Sequence, residues 1–213
     1  MFDKFAEYPV LGWAIVAVLL IGGLALMRLK KGSQRTVWTT KMLALGAICM
    51  ALSSVLSLVR LWKMPQGGSV TAASMLPMML FAYVYGTVPG LTLGAAYGVM
   101  QFILEPWMLS VPQVLLDYPV AFAMVGLAGV MNKHANVRLG LSVGVVAASV
   151  GRFIAAVASG VIFFAEYAEG TGLSPMVYSI VYNGSYMAPE CLICVAASLL
   201  IGQQLVGQLR KVK

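Results

Sequence analysis

Seven apolar runs, punctuated by Pro, Gly and charged residues, are what most limits the folds open to this chain. They cover residues 9–27, 40–62, 72–86, 89–105, 112–131, 138–166 and 176–208. A helix needs about 17–25 apolar residues to cross a bilayer. The 72–86 and 89–105 runs sit near that lower limit, and the last two are long enough to tilt or to continue beyond the bilayer. Only 10% of the residues are charged and 61% are hydrophobic, whereas soluble domains carry about 25% charge. The mean hydropathy is +0.90. The fold class expected is all-α: a polytopic membrane protein with a six-helix core and one extra N-terminal transmembrane helix.

The net charge of +7 does not point to nucleic acid. The basic residues flank apolar runs instead of forming a basic face with interleaved aromatics. Their distribution orients the chain. If Arg28, Lys30, Lys31, Arg35 and Lys41 are cytoplasmic, alternation puts Lys133 and Arg138 inside, together with Arg210, Lys211 and Lys213. The loops holding Lys63, Glu105 and Glu169 fall outside. The N-terminus is then outside and the C-terminus cytoplasmic. Residues 1–8 are mixed in charge, unlike the basic start of a signal peptide, so 9–27 reads as an uncleaved helix. The expected division is an extra helix and basic linker over 1–38, a six-helix membrane domain over 39–209, and a basic tail over 210–213.

Enzyme chemistry finds little support. There is no GxxxxGK[ST] phosphate loop. The one histidine, His134, lies in a short polar turn, which argues against a Ser-His-Asp or Cys-His set and against a histidine metal site. Cys49, Cys191 and Cys194 all fall in apolar runs and read as small helix residues. No cofactor and no metal are expected.

Three charged residues lie well inside the runs, away from their ends: Asp117, Arg152 and Glu190. An ionised group at the centre of a bilayer helix costs about 2.5–3.5 kcal/mol on insertion scales, so each needs a partner away from lipid. At 1.5 Å per residue, Asp117 is roughly 7–8 Å from the outer end of its run, and Arg152 and Glu190 are each roughly 21 Å deep. Equal depth pairs Arg152 with Glu190 as a structural ion pair and leaves Asp117 near the outer side for a ligand. Aromatic residues gather on that side: Trp62, Trp107, Tyr118, Phe163, Phe164, Tyr167, Tyr178 and Tyr182, with Asn183 close by. They suit an interfacial belt. They also suit a cage in which ring faces attract an organic cation and a carboxylate balances its charge. Ala47 and Ala51, a small-xxx-small pair extended back by Ala44 and Gly46, offer a surface for close helix approach.

Four linked segments carry a family resemblance. They are Lys63-Met-Pro-Gln-Gly-Gly-Ser-Val-Thr71, Gln113-Val-Leu-Leu-Asp-Tyr-Pro-Val-Ala-Phe122, Gly126-Leu-Ala-Gly129 and Tyr178-Ser-Ile-Val-Tyr-Asn-Gly-Ser-Tyr-Met-Ala-Pro-Glu190. Together they resemble the thiamine-specific substrate-binding (S) components of energy-coupling-factor (ECF) vitamin transporters, over about residues 40–208. The helix at 9–27 lies outside the resemblance. It implies a bacterial cell-membrane protein that captures thiamine, or a close cationic analogue, on the outer side. Partner subunits, a transmembrane T subunit and two cytoplasmic ATPases, would drive ATP-dependent uptake. Carried over position by position, the binding carboxylate is Asp117, where the family more often has Glu, with Tyr118 beside it. Trp107, Gly160, Tyr178 and Asn183 match further ligand positions, and Trp62 is a candidate for the loop tryptophan. Ala47 and Ala51 match the motif that contacts the T subunit. Ala156 and Phe164 stand where the family has His and Trp. Segment 63–71, with Gly67-Gly68, would form a lid. The rival readings are an ion-coupled secondary carrier using Asp117 or Glu190, and a non-transport membrane scaffold.

Overall fold

The computed structural model describes residues 37–213. The expected helix over 9–27, the basic residues 28–35 and the placement of the N-terminus lie outside the described residues.

Helix α1 (Thr40–Leu58) starts where Thr39 Oγ1 accepts the Met42 amide at 3.2 Å. Such a side chain satisfies one of the amides that every helix start leaves open. Met42, Gly46, Cys49 and Ser53 form its buried stripe. Leu43, Ile48, Leu52 and Val55 point outward, as on a lipid-facing helix. The 40–62 run was expected to be helical throughout, but the helix stops at Leu58. Strand β1 (Arg60–Lys63) follows and pairs antiparallel with β2 (Ser69–Thr71), with Trp62 opposite Val70. The reason is local. Gly67 takes a φ of +106° that side chains avoid, and Met64 N–H bonds Gly68 O at 2.6 Å to close the hairpin. A short apolar run next to such a turn has no periodicity that separates strand from helix.

Helix α2 (Leu76–Tyr85) is only ten residues long, and every residue from Leu76 to Val84 is buried. It is apolar all round because it runs through the centre of the bundle. Gly86, at φ +102°, ends it, and α3 (Thr87–Leu104) turns back alongside. Gly90, Gly94 and Gly98 recur every four residues on α3 and face α4 (Val111–Met131). A Cβ on Gly98 would sit 2.8 Å from Pro119 Cα, and one on Gly90 2.8 Å from Gly126 Cα. The two backbones therefore touch, as small residues allow in membranes.

Helix α5 (Val137–Phe163) is capped by Asn136, whose Oδ1 accepts the Leu139 amide. A short 3₁₀ turn, Ala165–Ala168, leads to α6 (Pro175–Val212), capped by Ser174 with proline at its first position. Ser142 and Ser198 join α5 to α6 at 2.9 Å. Arg210 donates to Asn132 O, and Lys213 Nζ donates to Val84 O at 3.0 Å. The basic C-terminus and the 132–138 turn thus share one end of the molecule. Among the described residues, five of the six helices are long and apolar enough to cross a membrane; α2 is shorter.

Candidate ligand-binding site

A cavity of about 600 Å³ opens at the end of the bundle opposite the basic C-terminus. Its size is that of a small-molecule pocket. Helices α4, α5 and α6 form the walls, and the β1–β2 hairpin leans over it. Gln66 N–H donates to Tyr182 OH at 3.1 Å, and a Cβ on Gly68 would lie 2.5 Å from the Tyr186 ring. At the hairpin's outer flank Arg60 pairs with Glu105, at the end of α3.

Asp117 lies on the wall in an irregular part of α4. Pro119 has no N–H to give the Leu115 carbonyl, and the chain widens into a π turn over Leu116–Val120, with Ala121 N–H bonding Leu116 O. Single π turns inside helices concentrate at functional sites. Gln113, fully buried one turn earlier, donates from Nε2 to Asp117 Oδ2 at 2.5 Å. Its Oε1 accepts the Leu109 amide at 3.0 Å. Among the described residues no cationic side chain is paired with Asp117. Tyr118 turns to the 105–110 loop, where its hydroxyl accepts the Trp107 amide at 3.0 Å and donates to Glu105 O at 2.8 Å. One turn of α4 thus presents the carboxylate and ties down the loop that carries Trp107.

The opposite wall is aromatic. Tyr178 stacks on Tyr182 with centroids 6.0 Å apart, and Tyr186 meets Tyr182 edge-on. Phe164 stacks on Tyr167 at 5.8 Å. Asn183 is buried and committed within the protein: Nδ2 donates to Ser179 O at 2.9 Å, and Oδ1 accepts from Tyr186 OH at 2.7 Å. Gly160 gives the room for this, since a Cβ there would come within 3.0 Å of Ser179 Cβ.

The cavity brings together Asp117, Tyr118, Trp107, Gly160, Phe164, Tyr178 and Asn183. Trp62 is different. It is 68% exposed and does not line the cavity, because the hairpin turns its side chain to the outer surface. The expected Arg152–Glu190 ion pair is not formed either. Glu190 Oε2 accepts the Thr71 amide at 2.5 Å, and Oε1 accepts Thr71 Oγ1–H at 2.7 Å. The Arg152 guanidinium lies 4.5 Å over the Phe122 ring, and its Nε is buried with no hydrogen-bond partner. Equal depth placed the two residues at one level, but hydroxyl and amide donors on the hairpin reached the carboxylate first.

Gln113, Ser159 and Tyr186 also line the cavity and were not singled out from sequence. Gln113 was legible in principle: it lies four residues before Asp117, one helical turn away. Ser159 Oγ is buried on α5 beside the Asp117 carboxylate, a proximity between helices that no sequence pattern signals. Ala47 and Ala51 are exposed on α1, away from the cavity.

The model of the thiamine transporter protein family (Thia_YuaJ) matches residues 43–209. The thiamine transporter ThiT of Bacillus subtilis (strain 168) is 35% identical over 168 residues, covering 73% of this chain and 86% of that protein. ThiT of Lacticaseibacillus paracasei is 27% identical over 152 residues, covering 62% and 73%. The solved structure of ThiT from Listeria monocytogenes superposes with a TM-score of 0.65 at 26% identity, covering 80% of this chain and 96% of that one. The chain therefore belongs to the thiamine transporter protein family, and it is a multi-pass membrane protein of a transporter family, not an enzyme.

Proposed function

We propose that this chain is the substrate-binding membrane subunit of an ECF-type transporter and captures thiamine, or a close cationic analogue, in the cavity beneath the hairpin. The observation that carries the reading is Asp117: a carboxylate with no cationic partner among the described residues, held by Gln113 in an aromatic-walled cavity. Charge balance supports it. Arg60 and Glu105 neutralise each other, and Lys63 is exposed on the hairpin. Lys63 lines the same cavity at its exposed rim; of the charged groups deeper in the wall, Asp117, Glu190 and Arg152 leave one formal negative charge, which a monocation completes. Trp107, Tyr118, Phe164 and Tyr178 supply ring faces for the cation. Asn183 acts by holding Tyr186 and Ser179 in place more than by reaching out, and Trp62 is left out of the set.

The open end of the cavity faces outward, and the end with Lys133, Arg138, Arg210, Lys211 and Lys213 is cytoplasmic. Support comes from the positive-inside rule and from the shared position of these residues. Residues 39–209 form the binding domain, 210–213 a basic tail, and 1–38 an appended helix with its linker. Exposed Ala47 and Ala51 dock a T subunit, which two cytoplasmic ATPases serve.

The test is a titration of the purified full chain with thiamine, following tryptophan fluorescence. Trp107 lies in the cavity wall, so saturable quenching at micromolar ligand or below is expected. Quenching by another compound and none by thiamine overturns the ligand assignment.

A further inference from the structure

Tyr182, Tyr186 and Glu190 recur every four residues on α6, and each holds a different part of the hairpin. Tyr182 takes the Gln66 amide at the turn, Tyr186 packs under Gly68, and Glu190 takes Thr71 at the root. The root grip is the strongest in kind. Both oxygens of a buried carboxylate accept from one residue, and charge-assisted bonds are roughly twice as strong as neutral ones. Thr71 Oγ1 also bonds Ser74 Oγ at 2.7 Å, across a turn in which Ala73 takes φ +59°. A side chain in that region is uncommon and persists only when its surroundings hold it. The hairpin therefore hinges on a strained turn that Glu190 fastens.

Lifting the hairpin would strip Glu190 of its Thr71 donors and leave a carboxylate unpaired within the membrane. That state is costly unless another cation or donor replaces them. Arg152 is on hand. It lines the main cavity together with Glu190 and faces the same small void, between Met75, Met187 and Cys194; its guanidinium rests on the Phe122 ring and forms no ion pair among the described residues. Its Nε has no acceptor while the hairpin is down.

We propose that Glu190 is the positioning residue that seats the hairpin over the cavity, and that Arg152 takes over its carboxylate when the hairpin lifts. The two states then differ by an exchange of partners on one carboxylate: Thr71 when covered, Arg152 when open. Ligand entry and release are paced by that exchange. Only the kinetic arm of the test below rests on thiamine being the ligand.

The experiment uses the full chain in lipid nanodiscs. Hydrogen–deuterium exchange over residues 60–71 is measured without ligand, and thiamine association and dissociation are followed by stopped-flow fluorescence. Glu190→Gln keeps the shape but weakens the acceptor, and should speed hairpin exchange and thiamine release by about tenfold. Arg152→Met removes the open-state partner, and should slow both hairpin exchange and thiamine association. Thr71→Val should behave like Glu190→Gln to a lesser degree, and Thr71→Ser like the parent, which keeps the test decisive if Glu190→Gln does not fold. Parent-like hairpin exchange in Glu190→Gln overturns the proposal, as does equal exchange in Thr71→Val and Thr71→Ser. Faster exchange in Arg152→Met overturns the partner swap. If thiamine does not bind but hairpin exchange follows the expected pattern, the ligand assignment fails and the clamp stands.

Discussion

Gln113 Nε2 lies 2.5 Å from Asp117 Oδ2, one helical turn earlier on α4. The same amide group accepts the Leu109 amide through its oxygen. The carboxylate and the loop that carries Trp107 therefore share one anchor. Gln113→Leu should weaken thiamine binding by about tenfold, on the scale of one lost bond to a charged group. The loop at 105–110 should also exchange its amides faster, which mass spectrometry reads. Weak binding with an unchanged loop would mean that Gln113 acts on Asp117 alone.

Asp117 itself gives the sharpest test. Asp117→Asn keeps the shape and removes the charge that balances the cation. Its affinity should fall on the order of 30-fold or more, measured by calorimetry. Asp117→Glu, with the same charge on a longer stem, should stay nearer the parent.

Phe164 faces the cavity beside Tyr167. A larger indole face attracts a cation more strongly than a phenyl ring, the whole interaction being worth about 0.5–1 kcal/mol at exposed sites and about 2 kcal/mol when desolvated. Phe164→Trp should therefore tighten thiamine binding by roughly two- to fivefold, and Phe164→Ala should weaken it. A neutral analogue of similar shape should gain less from the tryptophan, and comparing the two ligands separates charge from contact area.

Much of the fold could be read in advance, because apolar runs of span length leave a chain few options in lipid. The runs at 112–131 and 176–208 became α4 and α6 with small end corrections. The hairpin could not be read so easily. Its strands are four and three residues long, and their pairing depends on a turn, not on a repeat. Asp117 and its aromatic neighbours stood out because charge in an apolar run is conspicuous. Glu190 and Arg152 stood out for the same reason but were matched to each other, since depth along a helix says nothing of which hydroxyl or amide lies nearer. The π turn at Leu116–Val120 had one visible sign, Pro119 in mid-run, whose effect depends on how α3 packs against it.

That packing gives a fourth prediction. Gly98→Ala would bring a Cβ to 2.8 Å from Pro119 Cα, against backbone that cannot swing away. Overpacking of this kind costs typically about 1–3 kcal/mol. The melting temperature should drop, and thiamine affinity should drop with it because the displaced turn carries Asp117. Gly207→Ala, on α6 with nothing within 4 Å of the added carbon, is the control that should leave both unchanged.

A fifth concerns assembly. Ala47→Leu with Ala51→Leu would fill the small-residue face of α1, which is exposed in the isolated chain. Thiamine binding by the lone subunit should persist, and co-purification with a T subunit should be lost. Retained co-purification would move the docking surface elsewhere.

The glycine seam between α3 and α4 also constrains how the site can change over evolutionary time. Gly90, Gly94 and Gly98 accept no side chain without moving a backbone, so the wall that carries Asp117 is closed to gradual revision. Across the cavity, Ala156 and Phe164 on and beside α5 border open space, where a new side chain meets ligand before it meets backbone. Drift in ligand preference within this family should therefore be written on α5, while the seam keeps the charge where it is.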